Sequence, residues 1–109
     1  MSEKKASNKP AKAKRLKPSM APTMYLDHDE KYYYIQFELP GVKKEDVTLE
    51  VSDSSICVTG ARLGMNFLGC YVLMHAVNAD GAKAKFEAGL LSVEIPIKKI
   101  LKGKKVTIE

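Results

Sequence analysis

Ala84-Lys85-Phe86-Glu87-Ala88-Gly89-Leu90-Leu91-Ser92-Val93-Glu94-Ile95-Pro96 alternates apolar and polar residues on both sides of a glycine. Ala82, Ala84 and Phe86 share one face of a first segment around Lys83–Glu87, and the lysines take the other. Leu91, Val93 and Ile95 share one face of a second segment, which ends at Pro96 because proline cannot donate to a β-ladder. A period of two is the pattern of half-buried strands, and Gly89 suits a turn that needs a positive φ. The stretch therefore reads as a β-hairpin with one face to bury.

The same pattern recurs upstream. Met24 to Asp27 is a short first strand candidate, and Tyr32 to Leu39, rich in aromatic and β-branched residues, stops at Pro40-Gly41. After the polar Lys43–Asp46, the residues Val47, Leu49 and Val51 alternate with Thr48, Glu50 and Ser52. Asp53-Ser54 supplies a turn, and Ile56 and Val58 then alternate with Cys57 and Thr59 up to Gly60, which makes another hairpin. Ala61 to Gly69, short and interrupted by glycine, is expected to be a loop. Tyr71 to Val77 is apolar at nearly every position, so a strand covered on both faces is expected, followed by a turn at Asn78–Gly81. Ile97 to Lys105 reads as a lysine-rich linker, and the chain ends on Val106-Thr107-Ile108-Glu109. Seven short segments without intervening helices exclude a parallel sheet with crossovers. They predict an all-β fold, an antiparallel immunoglobulin-like β-sandwich of about seven strands.

With 109 residues there is room for one core. Hydrophobic residues at 45% and charged residues at 28% match a folded domain rather than a disordered or membrane-spanning chain. The net charge of +5 is unevenly spread: residues 1–22 sum to +6, residues 23–97 to −5 and residues 98–109 to +4. Residues 1–22, rich in Lys, Ala, Ser and Pro, are expected to be a mobile basic tail, residues 23–97 the domain, and residues 98–109 a C-terminal extension. No apolar run reaches the length of a membrane helix and no secretory leader opens the chain, so a cytoplasmic protein without membrane contact is expected. Cys57 and Cys70 form no CxxC pair, and reduced core cysteines are the expectation.

The run Phe37-Glu38-Leu39-Pro40-Gly41-Val42-Lys43-Lys44-Glu45-Asp46-Val47 resembles the strand, turn and strand that open the α-crystallin domain of small heat-shock proteins. Ala84–Pro96 resembles that family's signature hairpin, A-x-x-x-n-G-v-L-x-v-x-i-P, and the two runs occur in the family's order. The resemblance implies an ATP-independent, holdase-type molecular chaperone of the stress response that binds partly unfolded proteins and self-associates as a dimer or small oligomer. It also implies a groove between the strand containing Val47, Leu49 and Val51 and the strand containing Ala84 and Phe86. In the family that groove accepts an Ile-x-Ile or Val-x-Ile tail from a neighbouring chain, and Val106 and Ile108 match the tail. Two positions that share a direction suit β-augmentation, in which an extended peptide lies along a sheet edge. The sequence also departs from the family. Only Ala61–Leu68 stand where strand-exchanging relatives carry a long loop with an extra strand, which argues against that dimer. The family's usual arginine falls near Leu73, and the N-terminal arm lacks aromatic residues.

An enzyme finds no support, since His28 and His75 are isolated and no nucleophile–base set or phosphate loop occurs. His75, in the most apolar segment, reads as a satisfied core or interface histidine. No cofactor, nucleotide or metal is implied. Tyr32, Tyr33 and Tyr34 read as packing residues, with Tyr33 on the face opposite the other two, rather than as a base-stacking platform. Two alternatives stay open: nucleic-acid binding through the basic N-terminal tail, and a non-catalytic adaptor of the CS-domain type.

Overall fold

The structure, a computed structural model, describes residues 17–109; most of the basic N-terminal segment, and with it the nucleic-acid reading, lies outside them. Nine strands are present among the described residues: β1 (Ser19–Met20), β2 (Thr23–His28), β3 (Tyr32–Glu38), β4 (Val47–Val51), β5 (Ser55–Arg62), β6 (Met65–Val72), β7 (Ala76–Val77), β8 (Lys83–Glu87) and β9 (Leu90–Lys99). Single 3-10 turns at Lys44–Asp46 and Ala79–Gly81 are the helical elements among these residues. The all-β sandwich expected from the alternation is therefore the fold. Six of the expected segments become β2, β3, β4, β5, β8 and β9, while β1 lies in the expected tail, β6 starts in the expected loop and β7 falls at the end of the expected Tyr71–Val77 strand.

One sheet has the order β1-β6-β5-β4; in the other, β2, β3 and β9 are consecutive, and both β7 and β8 pair with β9. Apart from the parallel β1–β6 bridge, the pairings are antiparallel. β3 is the clearest case of sequence becoming structure. Tyr33, Ile35 and Phe37 are buried while Tyr32, Tyr34, Gln36 and Glu38 face outward, so alternation along a pleated strand sends every second residue inward. The inner set meets Leu91, Val93 and Ile95 across the β3–β9 ladder, and Ile56, Val58 and Phe67 come from the facing sheet. The Phe37 and Tyr71 rings, 5.8 Å apart, place β3 over β6. The Val77 N–H donates to the Asp53 carbonyl at 2.8 Å, which ties β7, beside β9, to the β4–β5 turn. Continued in that direction, β9 lies over β5 and β8 over β4.

Turns are locked by side chains as well as by backbone. The Asp29 carboxylate accepts the N–H groups of Lys31 (2.7 Å) and Tyr32 (2.8 Å) and the Tyr34 hydroxyl, and the two backbone donors hold its carboxyl below the usual range. At the signature hairpin Gly89 has φ +81°, and its carbonyl accepts the Leu39 N–H at 2.7 Å, which seats the turn on the end of β3.

Four expectations are corrected. Ala61–Gly69 is not a loop: β5 runs on to Arg62, turns at Leu63-Gly64, and returns as β6 from Met65. Glycine read as a breaker, yet Gly69 sits inside a strand with the Tyr71 side chain folded over it, where a Cβ would overlap the hydroxyl. Tyr71–Val77 is not a strand covered on both faces. β6 stops at Val72, β7 holds only Ala76–Val77, and Val72 (87% exposed) and Met74 (72%) point to solvent. The supposed tail supplies β1 and the buried Pro22, and the supposed linker supplies β9 as far as Lys99.

The fourth correction concerns the cysteines. Cys57 and Cys70 are direct cross-strand partners on the outer face of the β4–β5–β6 sheet, with Cα atoms 4.1 Å apart, and they form a disulfide. They are placed as a bonded pair rather than as separate core thiols, and they lie outside the core because Ile56, Val58 and Phe67 occupy the inner positions of β5 and β6. Their cross-link closes a span of 13 residues and restricts the unfolded chain. Reduction is expected to lower stability by up to about 3 kcal/mol. Thermal melts with and without reductant measure this, and coincident melts would mean that the bond adds nothing.

Candidate functional site

Both sheets end on the same flank of the sandwich, one in β4 and the other in β8. Among the described residues β4 pairs only with β5, and β8 only with β9, so there each strand leaves one row of backbone N–H and C=O groups without a ladder partner. Their inner faces carry the residues that the sequence singled out. Val47, Leu49 and Val51 alternate with exposed Thr48 and Glu50, and all three pack against the core while staying half-exposed. Across the flank, Ala84 stands opposite Val93 and Phe86 opposite Leu91, which turns both inward. Phe86 is half-buried and Ala84 exposed, since among the described residues no further strand closes the sandwich beyond β8. The five positions form an apolar margin, open at the side, between two free edges.

Thr48, Glu50, Lys83, Lys85 and Glu87 line the outward faces, and the ion pair between Lys85 and Glu87, 3.7 Å apart, is fully on the surface and worth little. Among the described residues no group of His, Cys, Asp and Glu is placed to hold a metal, and no helix is long and apolar enough to cross a membrane.

The C-terminal extension leaves the domain after Lys99 and has no regular structure from Ile100 to Glu109. Val106 and Ile108 are 81% and 93% exposed, so this chain's own core does not cover them. What the sequence did not reveal is the anchor of the extension. The backbone N–H of Leu101 donates to Nδ1 of His75 at 2.9 Å, and His75 is only 5% exposed. The apolar surroundings of His75 were visible in the sequence, but its partner lies 26 residues away and offers a backbone group, which leaves no sequence signal.

A two-layer antiparallel sandwich with this strand order defines the all-β class of the fold. Residues 25–109 match the Hsp20/alpha crystallin family, and the chain belongs to that family. A curated relative, small heat shock protein C4 of Rickettsia felis, is 24% identical over 105 residues, which cover 82% of this chain but only 64% of the relative. Among solved structures, heat shock protein 16.0 from Schizosaccharomyces pombe superimposes with a TM-score of 0.67 at 23% identity, covering 87% of this chain and 80% of that one. HSP18.5 from E. histolytica gives 0.66 at 22%, covering 82% and 99% respectively. A C-terminally truncated form of the small heat shock protein AgsA from Salmonella typhimurium gives 0.56 at 27%, covering 82% and 100%.

Proposed function

We propose that this protein is an ATP-independent holdase that captures extended, apolar segments of partly unfolded proteins along the β4 and β8 edges. The observation that carries this reading is the row Val47, Leu49, Val51, Ala84 and Phe86, apolar, inward-facing and incompletely covered between two unpaired edges. Main-chain donors and acceptors of the edges hold any extended peptide irrespective of its sequence, and alternate apolar side chains supply the burial. No covalent step is needed, so the reading is of a binding protein and not an enzyme. Val106 and Ile108 of a second copy are the resident occupants of the same margin, which makes self-association and client capture competing uses of one surface. Cytoplasmic residence goes with this reading. There Cys57 and Cys70 would meet reducing thiols, and Cys70 is exposed to them; alkylation in intact cells tests this, since free thiols accord with the cytoplasm and a protected pair does not.

The test is light scattering of a heat-aggregating substrate without ATP, at low and high salt. Suppression is expected at both ionic strengths, because apolar burial is not screened. Ala84→Glu, at an exposed position where a carboxylate leaves the core untouched, is expected to weaken suppression several-fold. Absence of suppression by the intact chain would reject the holdase reading in favour of an adaptor module.

A further inference from the structure

His75, between β6 and β7, is the one buried polar side chain of the described core. It is bound at two points: its backbone N–H donates to the Tyr33 hydroxyl at 2.9 Å, and its ring Nδ1 accepts from the Leu101 N–H at 2.9 Å. An amide N–H can only donate, so Nδ1 holds a lone pair and the imidazole is the neutral tautomer protonated at Nε2. Imidazolium carries hydrogen on both ring nitrogens, and its Nδ1–H would face the Leu101 N–H head-on.

Several elements packed around the ring carry polar or charged groups. From β2 comes His28, its ring centroid 4.9 Å away and edge-on; from β3 comes the Tyr33 ring at 6.0 Å. β9 brings Lys99, paired with neighbouring Ala76, and the extension adds Lys102. Asp27 and Asp29 flank His28 in the chain, but Asp27 accepts the N–H of His28, and the Asp29 carboxylate is committed to Lys31, Tyr32 and Tyr34. The β4–β5 turn, whose Asp53 carbonyl accepts the Val77 N–H, adds the Asp53 carboxylate.

We propose that His75 is a proton-operated latch on the C-terminal extension. With its Nδ1 lone pair free, it holds the Leu101 N–H and fixes the direction in which the extension leaves β9; with a proton on Nδ1 it cannot accept that N–H and lets the extension go. Leu101 lies five residues before Val106, so the latch governs how the Val-x-Ile segment is presented. That consequence rests on the docking role given to this segment above; the latch itself does not.

Amide hydrogen exchange of the full chain at pH 7.5 and pH 5.0, expressed as protection factors, tests it. Leu101 is expected to lose about tenfold protection at the lower pH, the scale of one hydrogen bond, while Phe37 and Ile56 in the core stay protected. His75→Gln keeps an acceptor but no titrating proton, and Leu101 should then respond equally at both pH values. Leu101→Pro removes the donor without touching the core, and residues 102–105 should show the released behaviour at both pH values. His28→Gln should leave the Leu101 response in place. Unchanged protection in the wild type, a response surviving in His75→Gln or Leu101→Pro, or a response abolished by His28→Gln overturns the latch. Failure of docking would appear instead as an unchanged oligomer mass on tail removal, with the Leu101 response intact.

Discussion

Phe37→Ala is expected to lower the melting temperature by roughly 15–30 °C. Phe37 is fully buried in the middle of β3, paired with Met24 of β2 on one side and Leu91 of β9 on the other, and its ring meets Tyr71 of the facing sheet. It touches three strands and both layers, so no single side chain can move in to fill the space. Removing a buried aromatic ring costs about 3–5 kcal/mol, a large share of the roughly 5–15 kcal/mol by which small domains are stable. In a domain of this size each kcal/mol is worth about 4–8 °C. Gln36→Ala, one residue away but on the outer face, should move the melt by only a few degrees. Calorimetry of both variants checks this, and similar shifts for the two would refute the assignment of the inner face.

The second large effect is on assembly. Deleting Val106–Glu109 removes two side chains that stand in water in the isolated chain, so folding stability should be unchanged. Burying a valine and an isoleucine in a neighbour's margin would contribute about 1.5–3 kcal/mol each. At 1.4 kcal/mol per factor of ten, their loss weakens each docking contact by about two to four orders of magnitude. The expected result is an assembly that falls apart, in light scattering coupled to size exclusion, at concentrations where the intact chain remains associated. The deletion spares all five lysines of residues 98–109 and removes a single side-chain charge, that of Glu109. An unchanged mass would remove Val106 and Ile108 from the docking role.

Where one face of a strand is buried, the pattern was legible in advance. Tyr33, Ile35 and Phe37 against Tyr32, Tyr34 and Gln36, and Leu91, Val93 and Ile95 against Ser92 and Glu94, could be assigned to inside and outside from alternation alone. The inward direction of Val47, Leu49, Val51 and Phe86 was legible for the same reason. That their flank stays open was not, because openness depends on which strands end the two sheets. Ala61–Gly69 misled because glycine has two uses: it turns a chain, as at Gly64, and it makes room, as at Gly69 under the Tyr71 ring. Missing that hairpin also concealed the cysteine pairing, since Cys57 meets Cys70 only in the register set by the turn at Leu63-Gly64. His75 and Leu101 show the remaining limit, a bond between a side chain and a distant backbone group.

The two central ladders close over very different lengths of chain. β5 and β6 are joined by a two-residue turn and can zip as soon as both are made, whereas Tyr32 of β3 waits for Pro96 of β9. Contacts so far apart in sequence form slowly, and a ribosome adds only about 5–20 residues per second. During synthesis Tyr33, Ile35 and Phe37 therefore stand uncovered for seconds, until almost the last residue of the domain has left the exit tunnel. A small domain of this family thus passes through its own birth with three of its core side chains bare.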